Sequence, residues 1–402
     1  MNNIKRSLFY FAVIISIASF TLIVAFTIKA ADSSTDKRAP KISDTLLSSK
    51  EFPYEIGKSH SFKNLQLFFL STESGIIDKE YITLSEAMER NYITVFETEN
   101  VNQLVVENHS GNFIFICSGE IVKGGKQDRT IGKDIILPPK SGKVPLASLC
   151  VESGRWHQRE DEADVAFSSS KYALSSRDLK VAAKKSKSQS EVWDKVSRQQ
   201  SKVNESMVSN YEYDDSFDVK DEVSESSLQL TLENKELQKV KSEYEAYFNK
   251  VGSDNKQSVG FVYAINGEIY GIDIYHNYKL FNDLWPKMLD AVIVEAISEL
   301  KKEQEIKYID RSSIIAMIND FAKEKAEIDK EEINSETTYI ITSTDNLLKF
   351  ETLDKREENM LLHLNYVSVD SDYTTPKSHR SIQNNLYLDE ENIQIQQYRN
   401  TE

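Results

Sequence analysis

The chain has 402 residues and a formal net charge of -15, with 49 Lys and Arg against 64 Asp and Glu. That balance excludes a phosphate-backbone groove, which needs clustered Lys and Arg, so no nucleic-acid partner is expected. Hydrophobic residues make up 40% of the chain, enough for a core. The length allows two to three domain-sized units, but a long polar middle reduces these to one main body with extensions.

Lys5 and Arg6 precede an apolar run from Leu8 to Phe26, which ends in Thr27-Ile28-Lys29-Ala30-Ala31. A basic start, an apolar stretch and small residues at its end form an export signal. The run is also long enough to span a bilayer. Residues 1–31 therefore read as a cleaved signal peptide or a retained membrane anchor, with a buried core helix as the bland alternative. Lys5 and Arg6 stay inside in either export reading, which puts the body outside the cytoplasm: periplasmic, secreted or membrane-anchored. Cys117 and Cys150 are the two cysteines. Outside the cytoplasm they can bond, or each can remain a small buried hydrophobe. No His accompanies them at metal-ligand spacing, so neither a metal site nor a cofactor is expected.

Residues 32–59 read as a polar linker. Asn64 to Leu70 is a strand, and Thr83 or Ser85 caps a short helix with Glu86 in its first turn. Tyr92–Glu97, Leu104–Glu107 and Phe113–Cys117 follow as strands around the turn at Asn108 to Asn112. Val144–Val151 is another. From His157 to about residue 250 the composition turns polar, with a Ser- and Lys-rich run. Two helices are expected in this insertion, one around Trp193 with Val192, Val196 and Val203 on its face. The other runs from Leu228 to Val251, with Leu230, Leu237, Val240, Tyr244, Tyr247 and Phe248 near one stripe. Asn266-Gly267 between two apolar runs predicts a hairpin with a type I′ turn inside the core. Asn282-Asp283 is read as the cap of a helix with Pro286 in its first turn, and a second helix starts near Asp310 to Ser312. Strands follow at Tyr339–Thr342, Leu347–Thr352 and Met360–Val369, and residues 370–402 form a polar tail. The fold class is α+β: a β-rich core, residues 60–369, with helices mainly in the second half, plus the N-terminal signal or transmembrane segment.

Chemically varied residues are densest from Gly119 to Trp156. Gly124-Gly125 allows a tight turn and close backbone approach. Arg129 and Arg155 offer planar forks that match carboxylate or phosphate, with Gln127 beside them and Trp156 able to stack on a base or sugar. Glu120 and Glu152 can orient the arginines or act as general base and acid. Equally, two Glu and two Arg at neighbouring strand ends can pair with one another and close a sheet edge. No GxxxxGK[ST], strand-linked GxGxxG or G-x-S-x-G motif is present. His109, His157, His276 and His363 read as surface or hydrogen-bonded residues.

The ordered set Gly119-Glu120, Gly125-Lys126-Gln127-Asp128-Arg129, Val144-Pro145 and Cys150-Val151-Glu152-Ser153-Gly154-Arg155-Trp156 resembles a domain family. That family is named for its association with ADP-ribosylglycohydrolases and rhodanese-phosphatases. Val192-Trp193, Gly260–Tyr275 and Leu284-Trp285-Pro286-Lys287 extend the likeness, which covers roughly Phe62 to Ile297 and can reach Val369. The resemblance implies a role near NAD or ADP-ribose metabolism, as an enzyme or a binding module. Carried residue by residue, it places Glu120, Gln127, Arg129, Glu152 and Arg155 in the site. The export segment runs against an intracellular NAD role.

Two functions follow as expectations. In the first, the GGKQDR and VESGRW segments bind a small anionic ligand, nucleotide- or ADP-ribose-like, through Gly124, Gly125, Gln127, Arg129, Arg155 and Trp156, with proton work at Glu120 or Glu152. In the second, the chain is a non-catalytic envelope or surface module. There the same residues are a structural Arg/Glu cluster, and the polar insertion or tail meets a protein partner.

Overall fold

The structure, a computed structural model, describes residues 52–72, 80–98, 100, 102–154, 167–174, 176–211, 213–301 and 305–369. The export segment, the polar tail, Arg155, Trp156 and His157 lie outside these residues.

The Asn-Gly hairpin organises the largest sheet. β12 (Gly260–Ile265) and β13 (Glu268–Tyr275) flank Asn266 and Gly267, whose φ angles of 53° and 83° are the two positive values that a type I′ turn requires. Every residue of β12 is buried, because both faces of the strand are apolar. On one side β12 pairs with β2 (Leu65–Ser71), which pairs with β1 (Glu55–Phe62). On the other side β13 pairs with β17 (Met360–Ser368). Beyond it lie β16 (Leu347–Asp354), β15 (Thr337–Ser343) and β14 (Glu327–Glu332), giving an eight-stranded antiparallel sheet in the order β1-β2-β12-β13-β17-β16-β15-β14.

Both edges of this sheet escape sequence patterning. β1 begins inside the stretch read as linker, and β14, Glu-Ile-Asp-Lys-Glu-Glu, is almost wholly exposed. A charged edge strand carries no apolar alternation, and its charges discourage pairing with another chain.

Alternation along the central strands divides their side chains between two faces. Val262, Ile272, Ile274, Leu364 and Tyr366 join one apolar cluster with Ile314 and Phe321 of helix α7 (Arg311–Phe321). Tyr263, Asp273, Tyr275, His363 and Asn365 occupy the alternate positions and carry the polar chemistry described below.

A second antiparallel sheet has six strands in the order β11-β7-β8-β10-β5-β4: Ser168–Ala173, Glu120–Lys123, Arg129–Ile131, Gly142–Cys150, Gln103–Asn108 and Ile93–Phe96. A small third sheet joins β3 (Ile82–Thr83), β6 (Ile114–Ile116) and β9 (Ile135–Leu137), with β3 parallel to β6. Thr83 caps helix α1 (Leu84–Glu89) by accepting from the Glu86 amide, as the sequence predicts.

Helix α6 (Tyr278–Ser298) is the central rod, buried at almost every position after Leu284. It starts earlier than the sequence reading placed it. Asn277, directly after β13, caps it by accepting from the Leu280 amide, and Pro286 lies inside the helix rather than in its first turn. An Asn immediately after a strand end can take the extended backbone that a cap needs, and this one outcompetes Asn282-Asp283. Helices α3 (Gln189–Tyr211) and α5 (Lys235–Asp254) pack on α6. The single helix expected over 228–251 is two, α4 (Leu228–Glu233) and α5, because the Asn234 side chain accepts from the amides of Glu236 and Leu237 and restarts the helix. The Ser- and Lys-rich run supplies β11, helix α2 (Arg177–Val181) and a π-helical turn, Ala182–Ser186. Among the described residues, no helix is long and apolar enough to cross a membrane.

Candidate functional site

The segment singled out by its chemistry folds as a turn between β7 and β8, backed by the end of β10. Gly124 and Gly125 take φ of 123° and 57°. A Cβ on Gly125 would lie 2.6 Å from Glu97 Oε1 and 2.8 Å from the Phe167 ring, so glycine is required here for space as well as for conformation. Glu97, just past β4, lays its carboxylate across the turn. Its Oε1 accepts from the Lys126 amide at 3.1 Å, and its Oε2 accepts from Arg129 Nη2 at 3.3 Å. Arg129 is 2% exposed and also donates through Nη1 to Cys150 Sγ. Asp128 accepts from the Gly124 amide at 3.2 Å, and Glu152 accepts from the Asp128 amide at 3.5 Å. Gln127 is fully buried, and among the described residues neither its side-chain oxygen nor its nitrogen has a hydrogen-bond partner.

Glu120 points away from this turn. Its Oε1 accepts from Lys287 Nζ of α6 at 2.5 Å, and its Oε2 accepts from the Cys117 amide at 3.1 Å. Lys287 also donates to Ser169 Oγ of β11. Glu120, Gly124, Gly125, Gln127, Arg129 and Glu152 are thus neighbours along β7, β8 and the end of β10. Glu97 and Lys287, which the sequence reading did not select, are the partners that decide what the charges do. The two cysteines are free and buried. Burial pushes the Cys150 thiol up to about 11, against the pull of Arg129.

A second polar cluster lies between the large and small sheets. His363 stacks on Tyr275 with ring centroids 4.5 Å apart and planes 5° from parallel. Its Nδ1 is 2.6 Å from Asp134 Oδ2 and its Nε2 is 3.1 Å from Asp273 Oδ1. Asp134, in the link from β8 to β9, also accepts from the Ser118 amide at 2.6 Å and from Thr352 Oγ1 at 2.5 Å. Burial works against both carboxylates, yet His363 and Lys184 hold Asp134 well below the usual carboxylate range, and Asp273 is lowered for the same reasons. Burial likewise opposes the imidazolium, but the two aspartates outweigh it and raise the His363 pKa. Cys117 completes the group, its thiol pushed up by burial, Asp134 and Glu120.

The α2 segment and the π-helical turn present Arg177, Lys180 and Lys184 to the same sheet face. Lys184 Nζ donates to Asn365 Oδ1 at 2.9 Å, and Lys180 Nζ lies 3.3 Å from the Tyr263 hydroxyl. That hydroxyl is 3.4 Å from Glu295 Oε2 on α6. Burial raises Glu295 to about 7, opposed by Lys180 and Arg177. The sequence signal for all of this was a polar residue set inside an apolar strand, as in Gly-Ile-Asp273-Ile-Tyr and Leu-Leu-His363-Leu-Asn365-Tyr. Single-strand patterning cannot say that these positions meet.

A mostly antiparallel α+β domain with buried charged pairs is the class of protein that this fold and site define. Residues 53–367 match the family described as the ARG and Rhodanese-Phosphatase-superfamily-associated Protein domain, and the chain belongs to that family. The match includes the polar segment that carries β11 and helices α2 to α5. Comparison with curated proteins and with solved structures gives no match.

Proposed function

We propose that the chain is a binding module for a small anionic ligand of the nucleotide or ADP-ribose class. The ligand is received at the Gly124–Arg129 turn, with Arg155 and Trp156 contributing from the segment that follows. One observation carries this reading: the Lys126 amide and Arg129 Nη2 converge on a single anion, the Glu97 carboxylate. A ligand phosphate replaces that carboxylate, whose side chain is 20% exposed and can turn outward to water. Gln127 supports the reading, because a buried amide without partners costs about 1–3 kcal/mol per group and a ligand would satisfy it. Glu120 is held by Lys287 and Glu152 by the Asp128 amide, which supports binding rather than proton transfer as the role of this turn. The export-type sequence of residues 1–31 supports a place outside the cytoplasm, away from the NAD pool, with free nucleotide-like compounds as the ligand class.

The alternative is a non-catalytic surface module in which these residues only clamp a sheet edge. The Glu120–Lys287 and Arg129–Glu97 pairs favour it, since each sets a predicted site charge against an internal partner. A thermal-shift screen of the full chain against ADP-ribose, nucleotides and inorganic phosphate separates the two, run beside Glu97→Gln and Arg129→Ala. Binding at a hundredfold excess over Kd stabilises by about 2.7 kcal/mol. A wild-type shift that grows in Glu97→Gln and vanishes in Arg129→Ala supports the anion site. If no compound shifts either the wild type or Glu97→Gln, the clamp reading stands.

A further inference from the structure

Cys117 at the end of β6, Asp134 between β8 and β9, and His363 on β17 come from distant parts of the chain. Each offers one ligand atom, and these atoms lie within 4.8 Å of one another, all fully buried. We propose that these three side chains form a binding site for one divalent transition-metal ion, zinc in the first instance. The donor set is thiolate, carboxylate and imidazole, the set that zinc accepts, and three protein ligands leave the fourth position of a tetrahedral ion for water.

Two further observations support an ion. The Ser118 amide donates to Asp134 Oδ1 at 2.6 Å and fixes that carboxylate beside Cys117 and His363. The other is Asp273, whose Oδ1 lies 3.1 Å from His363 Nε2. A carboxylate behind the imidazole fixes the tautomer of a metal-ligating His and raises its basicity. It leaves Nδ1 to face Asp134 and the ion.

The charges balance. Lys184 opposes a cation here, but Asp134, Asp273 and the Cys117 thiolate together exceed it. Binding expels the thiol proton of Cys117 and the proton between His363 Nδ1 and Asp134, and both leave to solvent. The ion joins the small sheet, through Cys117, to the large one, through His363. It therefore stabilises the native state as any native-state ligand does.

The test uses the full chain in mild detergent, stripped with a chelator and titrated with Co²⁺, with zinc content measured separately by elemental mass spectrometry. We expect one ion per chain, a thiolate-to-cobalt charge-transfer band, d–d absorption of a four-coordinate ion and a higher melting temperature. Cys117→Ala abolishes the charge-transfer band and His363→Gln lowers zinc retention at least tenfold, whereas Cys150→Ser leaves both intact. A wild-type chain that stays folded but shows no charge-transfer band overturns the proposal, and this outcome needs no variant to fold. So does a band that persists in Cys117→Ala or disappears in Cys150→Ser.

Discussion

Lys287→Met is the sharpest test of how the fold handles its charges. The Lys287 ammonium sits 2.5 Å from Glu120 Oε1, and the two side chains are 8% and 0% exposed. At that separation and an effective dielectric of about 20, the attraction is about 7 kcal/mol. Desolvating the two ions costs several kcal/mol each, so the pair adds little net stability. Truncating one partner is different, because it leaves Glu120 charged, buried and uncompensated. The expected loss is about 3–5 kcal/mol, plus about 1 kcal/mol for the lost hydrogen bond to Ser169. A domain of ordinary stability has only about 5–15 kcal/mol in all. Urea unfolding followed by far-UV circular dichroism measures the loss, with Glu120→Gln and the double variant completing a cycle. The double variant should be more stable than Lys287→Met alone, with a coupling of about 1–3 kcal/mol. A Lys287→Met chain within about 1 kcal/mol of wild type, or strictly additive losses, would refute the argument that this pair is sealed from water.

Three further outcomes follow from particular residues. Burial raises Glu295 from 4.5 to about 7. Between those values the native state holds a proton that the unfolded chain has released, so stability falls as pH rises from about 4.5 to about 7. The penalty is fully present above about 7, of order 3 kcal/mol. Glu295→Gln should flatten that part of a pH–stability curve from urea melts, and an unchanged slope would remove Glu295 as its source. Gly260→Ala should destabilise by at least about 1–3 kcal/mol, because its Cβ would run into the Asp273 carbonyl oxygen across the β12–β13 pair. A near-neutral result in the same assay would show that the strands can part there. Asn234→Ala should lose about 1 kcal/mol, since its side chain restarts the helix at α5, and helix content by circular dichroism should fall with it.

Local pattern determined a good deal of this molecule. Asn266-Gly267 alone demanded the central hairpin, because two successive positive φ angles exclude most other residues. Thr83 and Asp310 marked helix starts by the chemistry of their side chains, and both cap as expected. The apolar strands β2, β16 and β17 were legible because each is buried on both faces. The same logic hid β1 and β14, edge strands whose exposed, charged residues look like linker. It also favoured Pro286 as a helix start, although a strand-end Asn277 supplied the cap.

Only the tertiary structure decided what the charged residues meet. The sequence placed Glu120, Gln127, Arg129 and Glu152 in one neighbourhood, since they lie on adjacent strands. It had no means of showing that Lys287 reaches Glu120 from a helix far along the chain, or that Glu97 occupies the anion position at the Gly124–Gly125 turn. Likewise, alternation put Asp273, Tyr275, His363 and Asn365 on one face of their strands. The pairing of β13 with β17 then set Tyr275 opposite His363 and Asp273 opposite Asn365. Strand register and sheet stacking are long-range choices, fixed by the packing of the whole core. Spacing along the chain offered no metal-ligating partner for Cys117, and only the fold brings His363 and Asp134 beside it.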